Sequence, residues 1–365
     1  MNKATSDQIN VGQLMVITAQ IVFATGFLSV GHISVSESET GAWLGTLLGS
    51  IGGLAVAVLC GAVAARHPGK NLSMISQSLF PPVVAKFVSL TFAAYCTWVM
   101  GLGSRQFLLA IWIPYLRTTP PLVITVVFVT VTMYGASLGI EAISRASMLF
   151  FPVVLLSIIA LAGLALPVAV PGRLLPLQGT GLLGLAKTAL LTSSYGAECV
   201  IALALVRQLN QPERAGKAIA VGVAIGTLVI AIVVAVGIMM LGTRGVARTM
   251  FPVLETAKLV GVGEFLERSE ILMLALWFSA ALLKQAAVFY ASVTSMADVF
   301  GLRNYQPLVI PFAVLAVVFG MLPRTVVEVW AVLRAFLKYS FWYALAVPAI
   351  LLLASAIRAR GGDRK

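Results

Sequence analysis

Charge is what this sequence has least of. Only 10% of its 365 residues are Asp, Glu, Lys or Arg, against about 25% in an ordinary soluble domain. Acids are scarcest, 13 against 25 Lys plus Arg. There are two histidines, His32 and His67, far apart and isolated, so a histidine-based metal centre is not expected. The three cysteines, Cys60, Cys96 and Cys199, sit inside apolar runs at spacings that suit neither a disulfide framework nor a metal site. Packing is their expected role. No nucleophile–histidine arrangement is visible. The stretch "ARHPGKN" lacks the full spacing of a phosphate-binding loop, and "GSIGG" (Gly49–Gly53) lies within an apolar run, where close helix packing explains it better. No enzyme, cofactor or metal is expected.

What is abundant is apolar length. Hydrophobic residues make up 60% of the chain and the mean hydropathy is +1.00. Runs of about 20 apolar residues span a bilayer, and inside the hydrocarbon backbone groups must pair within the segment, which selects helices. The runs are continuous rather than alternating, which excludes a membrane β-barrel. The sequence therefore predicts an all-α polytopic membrane protein with about ten spans: 11–31, 41–64, 83–113, 121–138, 147–168, 183–206, 216–241, 269–297, 308–322 and 336–357. The first run has neither the basic start nor the cleavage site of a signal peptide, so it is expected to stay as the first helix.

The formal charge of +12 reads as topology rather than as affinity for nucleic acid. Basic residues collect in alternate connections, among them Arg66, Lys70, Arg145, Arg207, Arg214 and Lys217, together with Lys3, Arg303 and the tail 358–365. The opposite connections hold Arg117, Arg173 and Arg324, and "HISVSESETG" carries only acids. The positive-inside rule then places both termini in the cytoplasm. Residues 242–268 read as a long, charge-balanced loop. Residues 169–182 separate five spans (1–168) from five (183–357), and an odd number per half turns the second half upside down relative to the first. This is the arithmetic of a five-plus-five inverted repeat.

Such folds bind solutes where the first helix of each half is interrupted. The first span contains "FATGFLSVG" and the sixth "TSSYGAE", with Gly26 and Gly196 in comparable places. Glycine weakens a helix interior by roughly 1 kcal/mol relative to alanine, and Ser or Thr hydroxyls can satisfy carbonyls freed by an unwound turn. Close packing of small residues is the competing explanation. Glu198 at mid-span must be protonated, wet or paired, because a charge at the helix centre costs about 2.5–3.5 kcal/mol on insertion scales. Lys284, in "ALLKQAAVFY", also lies mid-span and is expected to pair, with Glu198 or with carbonyls. Arg105 is nearer its span's outer end, where snorkelling is the alternative to a functional role.

Residues 251–302 carry a resemblance. Phe251-Pro252, then Phe265, Glu267-Arg268 and Glu270, then Trp277 resemble a motif of the spore germination permease family, the B subunits of nutrient germinant receptors. "GAW" (Gly41–Trp43), "HPGK", Thr119-Pro120, "GIEAISR" (Gly139–Arg145) and the Gly196–Glu198 pair also fit. Lys284 departs from the pattern. The resemblance implies membership of the amino acid–polyamine–organocation superfamily, with a LeuT-like fold whose helices 1 and 6 are broken. It also implies a receptor for a small amino acid such as L-alanine, in the spore inner membrane beside an A-type membrane subunit and a C-type lipoprotein. The implied binding residues are Thr25, Gly26, Phe27, Tyr95, Ser193, Ser194, Tyr195, Gly196, Glu198 and Tyr290, with Arg105, Glu198 and Lys284 in charge coupling or gating. A secondary amino acid transporter and an assembly subunit with a vestigial pocket are the alternative readings.

Overall fold

A computed structural model describes residues 8–260 and 269–362. The motif residues Phe265, Glu267 and Arg268 lie outside the described residues, as do Lys3, Arg364, Lys365 and the side chains of Glu270 and Arg360. Among the described residues the chain is helical, and its one β-bridge joins Ile9 to Leu209. Six helical segments are long and apolar enough to cross a membrane, and two shorter apolar helices join them.

In chain order the helices are α1 (Val11–Ser38), α2 (Ala42–Arg66), α3 (Leu72–Leu79), α4 (Pro82–Trp112), α5 (Pro121–Ser137) and α6 (Ile140–Ala165). Then come α7 (Leu182–Ala197), which runs on as a 3₁₀ segment over Glu198–Ala204, α8 (Ala215–Arg248), α9 (Pro252–Leu259), α10 (Ser269–Phe300), α11 (Gln306–Met321) and α12 (Val326–Gly362). The starts are written in the sequence. Asn10 and Gln13 close a reciprocal capping box on α1. Proline occupies the first turn of α4, α5, α9 and α11, where its missing N–H leaves no bond unmade.

Helix α1 is buried almost all round, as expected of a helix with no polar face at the centre of a bundle. It lies along α8 and meets α7, α10 and α6, while α2 lies along α7 and α8, and α4 against α10 and α11. Glycines set the closest approaches. On α2, Gly45, Gly49 and Gly53 meet Thr188, Thr192 and Gly196 of α7; on α8, Gly222 and Gly226 meet Thr18 and Val22 of α1. A side chain at any of these would collide with the partner helix, so the small residues bring the backbones together.

Several expectations need correction. The first span does not stop near residue 31 but continues as helix to Ser38. It is also unbroken: no interruption occurs at Thr25–Phe27. The Ser29 hydroxyl bonds back to the Thr25 carbonyl four residues earlier, 3.1 Å away, which needs no unwound turn. The stretch 242–268 is not simply a loop. The helix of α8 is interrupted by a kink at Gly242, whose φ of 68° only glycine adopts easily, and helical structure resumes to Arg248 before α9 begins. Finally, α6 and α12 begin earlier than hydropathy indicates, at Ile140 and Val326.

Candidate functional site

The sixth element is not broken at Ser193–Gly196, which stay α-helical, and it changes character only at the end of the expected stretch, from Glu198. Ala197 (φ −70°, ψ −19°) and Glu198 (φ −55°, ψ −14°) leave the α-helical ψ range, and the next residues to Ala204 form a 3₁₀ helix. Such runs rarely exceed three or four residues and are frequent at helix C-termini. Here it spans seven.

Glu198 sits at that junction, 3% exposed, and Lys284 of α10 reaches it from the side, 1% exposed. The Lys284 ammonium donates to Glu198 Oε2 and to Thr25 Oγ1 of α1, both at 2.6 Å. One side chain thus ties α10 to α1 and to the α7–3₁₀ junction. A buried ion pair costs several kcal/mol of desolvation per charge and holds only with good geometry and further hydrogen bonds. The short contacts and the Thr25 hydroxyl supply these. An ammonium carries three N–H groups, and two have these partners.

Around the pair the polar groups are ordered. Tyr195 OH and Ser29 Oγ are 2.9 Å apart. Trp277, the tryptophan of the family-like motif, donates its indole N–H to the Ala24 carbonyl of α1 at 2.6 Å. Ser193 donates to the Gly49 carbonyl at 3.0 Å, and Ser194 to the Leu337 carbonyl. These serines fasten α7 to α2 and α12. Arg334 of α12 donates to Ser36 at 2.7 Å and faces Glu37 at 3.9 Å, tying α12 to α1.

Thr25, Tyr195 and Glu198 line a small cavity of about 10 Å³, with Leu102 and Gln106 of α4 and Phe336 of α12 among its other walls. That is room for about one water, so the site is closed. Of the residues expected to bind a ligand, these three meet at the cavity and Lys284 bonds two of them. Gly26 packs against Ile230 and Tyr195, Phe27 is buried in the core, and Gly196 abuts Gly53. Tyr95 stacks on Tyr343 at 4.9 Å and its OH lies 2.9 Å from Ser340 Oγ. Tyr290 OH accepts from Gln208 at 3.1 Å. Arg105 is the chain neighbour of Gln106 in the cavity wall, but its side chain lies against Met321 and Arg324. None of these six lines the cavity.

Sequence reasoning missed Gln106 and Gln285. Gln106 lines the cavity, and its side-chain oxygen has no hydrogen-bond partner. The Gln285 amide fills the space beside Gly103 with both polar atoms unpartnered. Two glutamines in otherwise apolar spans were the available signal. No group of three metal-binding side chains occurs among the described residues, and all three cysteines are free and buried.

Comparison with known proteins gives a consistent result. The family model described as "Spore germination protein" matches residues 8–327. Spore germination protein YndE of Bacillus subtilis (strain 168) is 21% identical over 98% of both chains. Spore germination protein KB of the same organism is 24% identical over 83% of this chain and 82% of its own length. Two solved structures share the fold. Mhp1, a nucleobase-cation-symport-1 family transporter in a closed conformation with bromovinylhydantoin bound, has a TM-score of 0.69 at 14% identity, covering 93% of this chain and 78% of its own. MhsT in complex with L-phenylalanine has 0.66 at 18%, covering 93% and 88%.

Proposed function

The chain belongs to the spore germination protein family, a multi-pass membrane protein with the fold of LeuT-type transporters, and on that premise we propose that it is the germinant-sensing subunit of a nutrient receptor. Its ligand is a small amino acid such as L-alanine, taken at the Lys284–Glu198 pair. The observation that carries this reading is the pair itself, buried at the junction of α7 with its 3₁₀ segment beside a polar-lined cavity.

An amino acid zwitterion presents a carboxylate and an ammonium to a site that holds an ammonium and a carboxylate. It can replace each partner by its equivalent: its carboxylate on Lys284 and Thr25, its ammonium on Glu198. The exchange leaves the buried charge balanced, which an ion of one sign would not. It needs more room than one water occupies, so α10 or α12 must draw away from the 3₁₀ segment. A ligand shifts an equilibrium only by its differential affinity for two states, and here only the opened state accommodates it. The apolar walls from Leu102 and Phe336 favour a small side chain. Because α1 is continuous, contacts come from side chains rather than from bare backbone at Gly26.

The five-plus-five repeat has support in the packing. Helix α1 lies along α8 as α7 lies along α2, and in each case glycines on the second helix receive the first. An inverted repeat pairing first with sixth spans and second with seventh has this exchange. The clustering of Lys and Arg in alternate connections supports cytoplasmic termini. The spore inner membrane, the A-type membrane subunit and the C-type lipoprotein follow from the receptor reading.

The experiment is germination itself. Spores carrying Glu198→Gln in this subunit, at normal abundance, should lose or strongly weaken their response to L-alanine. An unchanged concentration dependence contradicts the site. The transporter-like fold favours a second reading, net amino acid flux, and uptake into proteoliposomes containing this subunit alone distinguishes it.

A further inference from the structure

A second feature lies away from the central pair. Between α4, α11 and α12 is a cleft of about 320 Å³, walled by Trp98, Leu102, Phe319, Leu322 and Val332, with Glu328 in the first turn of α12 beside it. It lies on the apolar exterior: α11 turns Val314, Val318 and Leu322 outward, all exposed. In a membrane-embedded bundle such a stripe faces acyl chains.

Arg105 does not line this cleft but lies beside it, contacting Met321 and Arg324 on either side of the lining residues Leu322 and Pro323. Trp98, Leu102 and Arg105 are spaced i, i+4, i+7, so they share one face of α4. The residue is 6% exposed and its guanidinium is poorly satisfied. Its Nη atoms reach only Met321 Sδ at 3.8 Å and the Arg324 carbonyl at 3.5 Å, and Nε has no partner. These are long contacts for hydrogen bonds. Arg105 belongs to none of the ion pairs among the described residues. The carboxylate of Glu328 acts on this cation electrostatically but makes no direct ion pair with it, so donors of the guanidinium are left unused. The nearby carboxylate, Glu328, is engaged with the Arg324 N–H at 2.7 Å.

We infer that this cleft is a binding site for a phospholipid whose head carries a primary ammonium, with its phosphate on Arg105, its ammonium on Glu328 and an acyl chain along Trp98, Phe319 and Val332. The planar fork of arginine matches phosphate oxygens. Glu328 disfavours a head of net negative charge and accepts from an N–H that a quaternary head lacks. The apolar walls take the chain. Leu102 is a wall of this cleft and of the central cavity, so a chain seated here abuts the proposed germinant site. Lipid binding itself does not depend on that site.

The test is native mass spectrometry of the purified, delipidated full chain titrated with dioleoyl phosphatidylethanolamine, phosphatidylcholine and phosphatidylglycerol. Phosphatidylethanolamine should be retained preferentially. Arg105→Gln should weaken its retention by about tenfold, the worth of one charge-assisted contact. Glu328→Gln should retain lipid but lose the preference among heads. Ala331→Trp, which fills the cleft without touching Arg105, should displace it. Retention is read on the chain without L-alanine, so failure of the germinant reading leaves this result standing. Equal retention of the three lipids by the wild type, or undiminished retention by Arg105→Gln, overturns the inference. So does rapid labelling of Ala331→Cys in vesicles by a membrane-impermeant sulfonate thiol reagent, which would show a water-filled cleft.

Discussion

Gly196 and Gly53 meet backbone to backbone: a β-carbon on Gly196 would stand 2.8 Å from the Gly53 Cα, and one on Gly53 would stand 2.7 Å from the Gly196 Cα. Neither atom belongs to a side chain that could swing aside. The two glycines press α2 against α7 two residues before the 3₁₀ segment begins. Gly196→Ala should therefore destabilise the protein by about 1–3 kcal/mol, the usual cost of overpacking, seen as a lower thermal midpoint in detergent. Gly26→Ala should cost less, because its β-carbon meets the flexible end of Ile230. Equal midpoints for the two variants would contradict this packing.

The bond from Trp277 to the Ala24 carbonyl joins α10 to α1 beside the central pair. Trp277→Phe keeps the aromatic bulk and removes the donor, so it should cost about 1 kcal/mol. Trp277→Ala should cost about 3–5 kcal/mol, because it also leaves a cavity. Thermal unfolding of both variants checks the order.

Lys284 and Glu198 should behave as a unit. Removing either partner strands a buried charge, at about 3–5 kcal/mol. The double variant Lys284→Met, Glu198→Gln should be more stable than the sum of the single losses. A double-mutant cycle on the unfolding midpoint measures that coupling, and additive losses would show that the two groups are not paired.

A fixed ammonium between α1, α10 and the α7 junction also fixes ion dependence. Lys284 supplies the positive charge locally, so L-alanine binding should not change when sodium replaces potassium at constant ionic strength. Steep dependence on sodium would count against the ion-pair exchange.

Much of this was legible in the sequence, for identifiable reasons. Long apolar runs define spans because the bilayer sets their length, and the cost of a lone charge requires partners for Lys284 and Glu198, while leaving open whether Lys284 meets Glu198 or carbonyls. Amphipathic α3 and α9 and the early starts of α6 and α12 were not legible, because such segments look like loops to a hydropathy window. Gly26 and Gly196 looked alike in sequence yet differ in structure. Glycine permits both a break and a close approach, and only the partner helix decides: Ile230 beside Gly26, and Gly53 beside Gly196. Tyr95 and Tyr290 were expected at the pocket, but both hydroxyls have partners elsewhere, Ser340 and Gln208. Helical spacing does not reveal which neighbour a tyrosine finds.

The most direct measurement is equilibrium binding of radiolabelled L-alanine to the purified chain in lipid nanodiscs, beside Glu198→Gln and Lys284→Met variants shown to be folded. Ion-pair exchange predicts saturable binding by the wild type and at least about tenfold weaker binding by each variant, the worth of one buried charge-assisted contact. Unchanged affinity in both variants would contradict it.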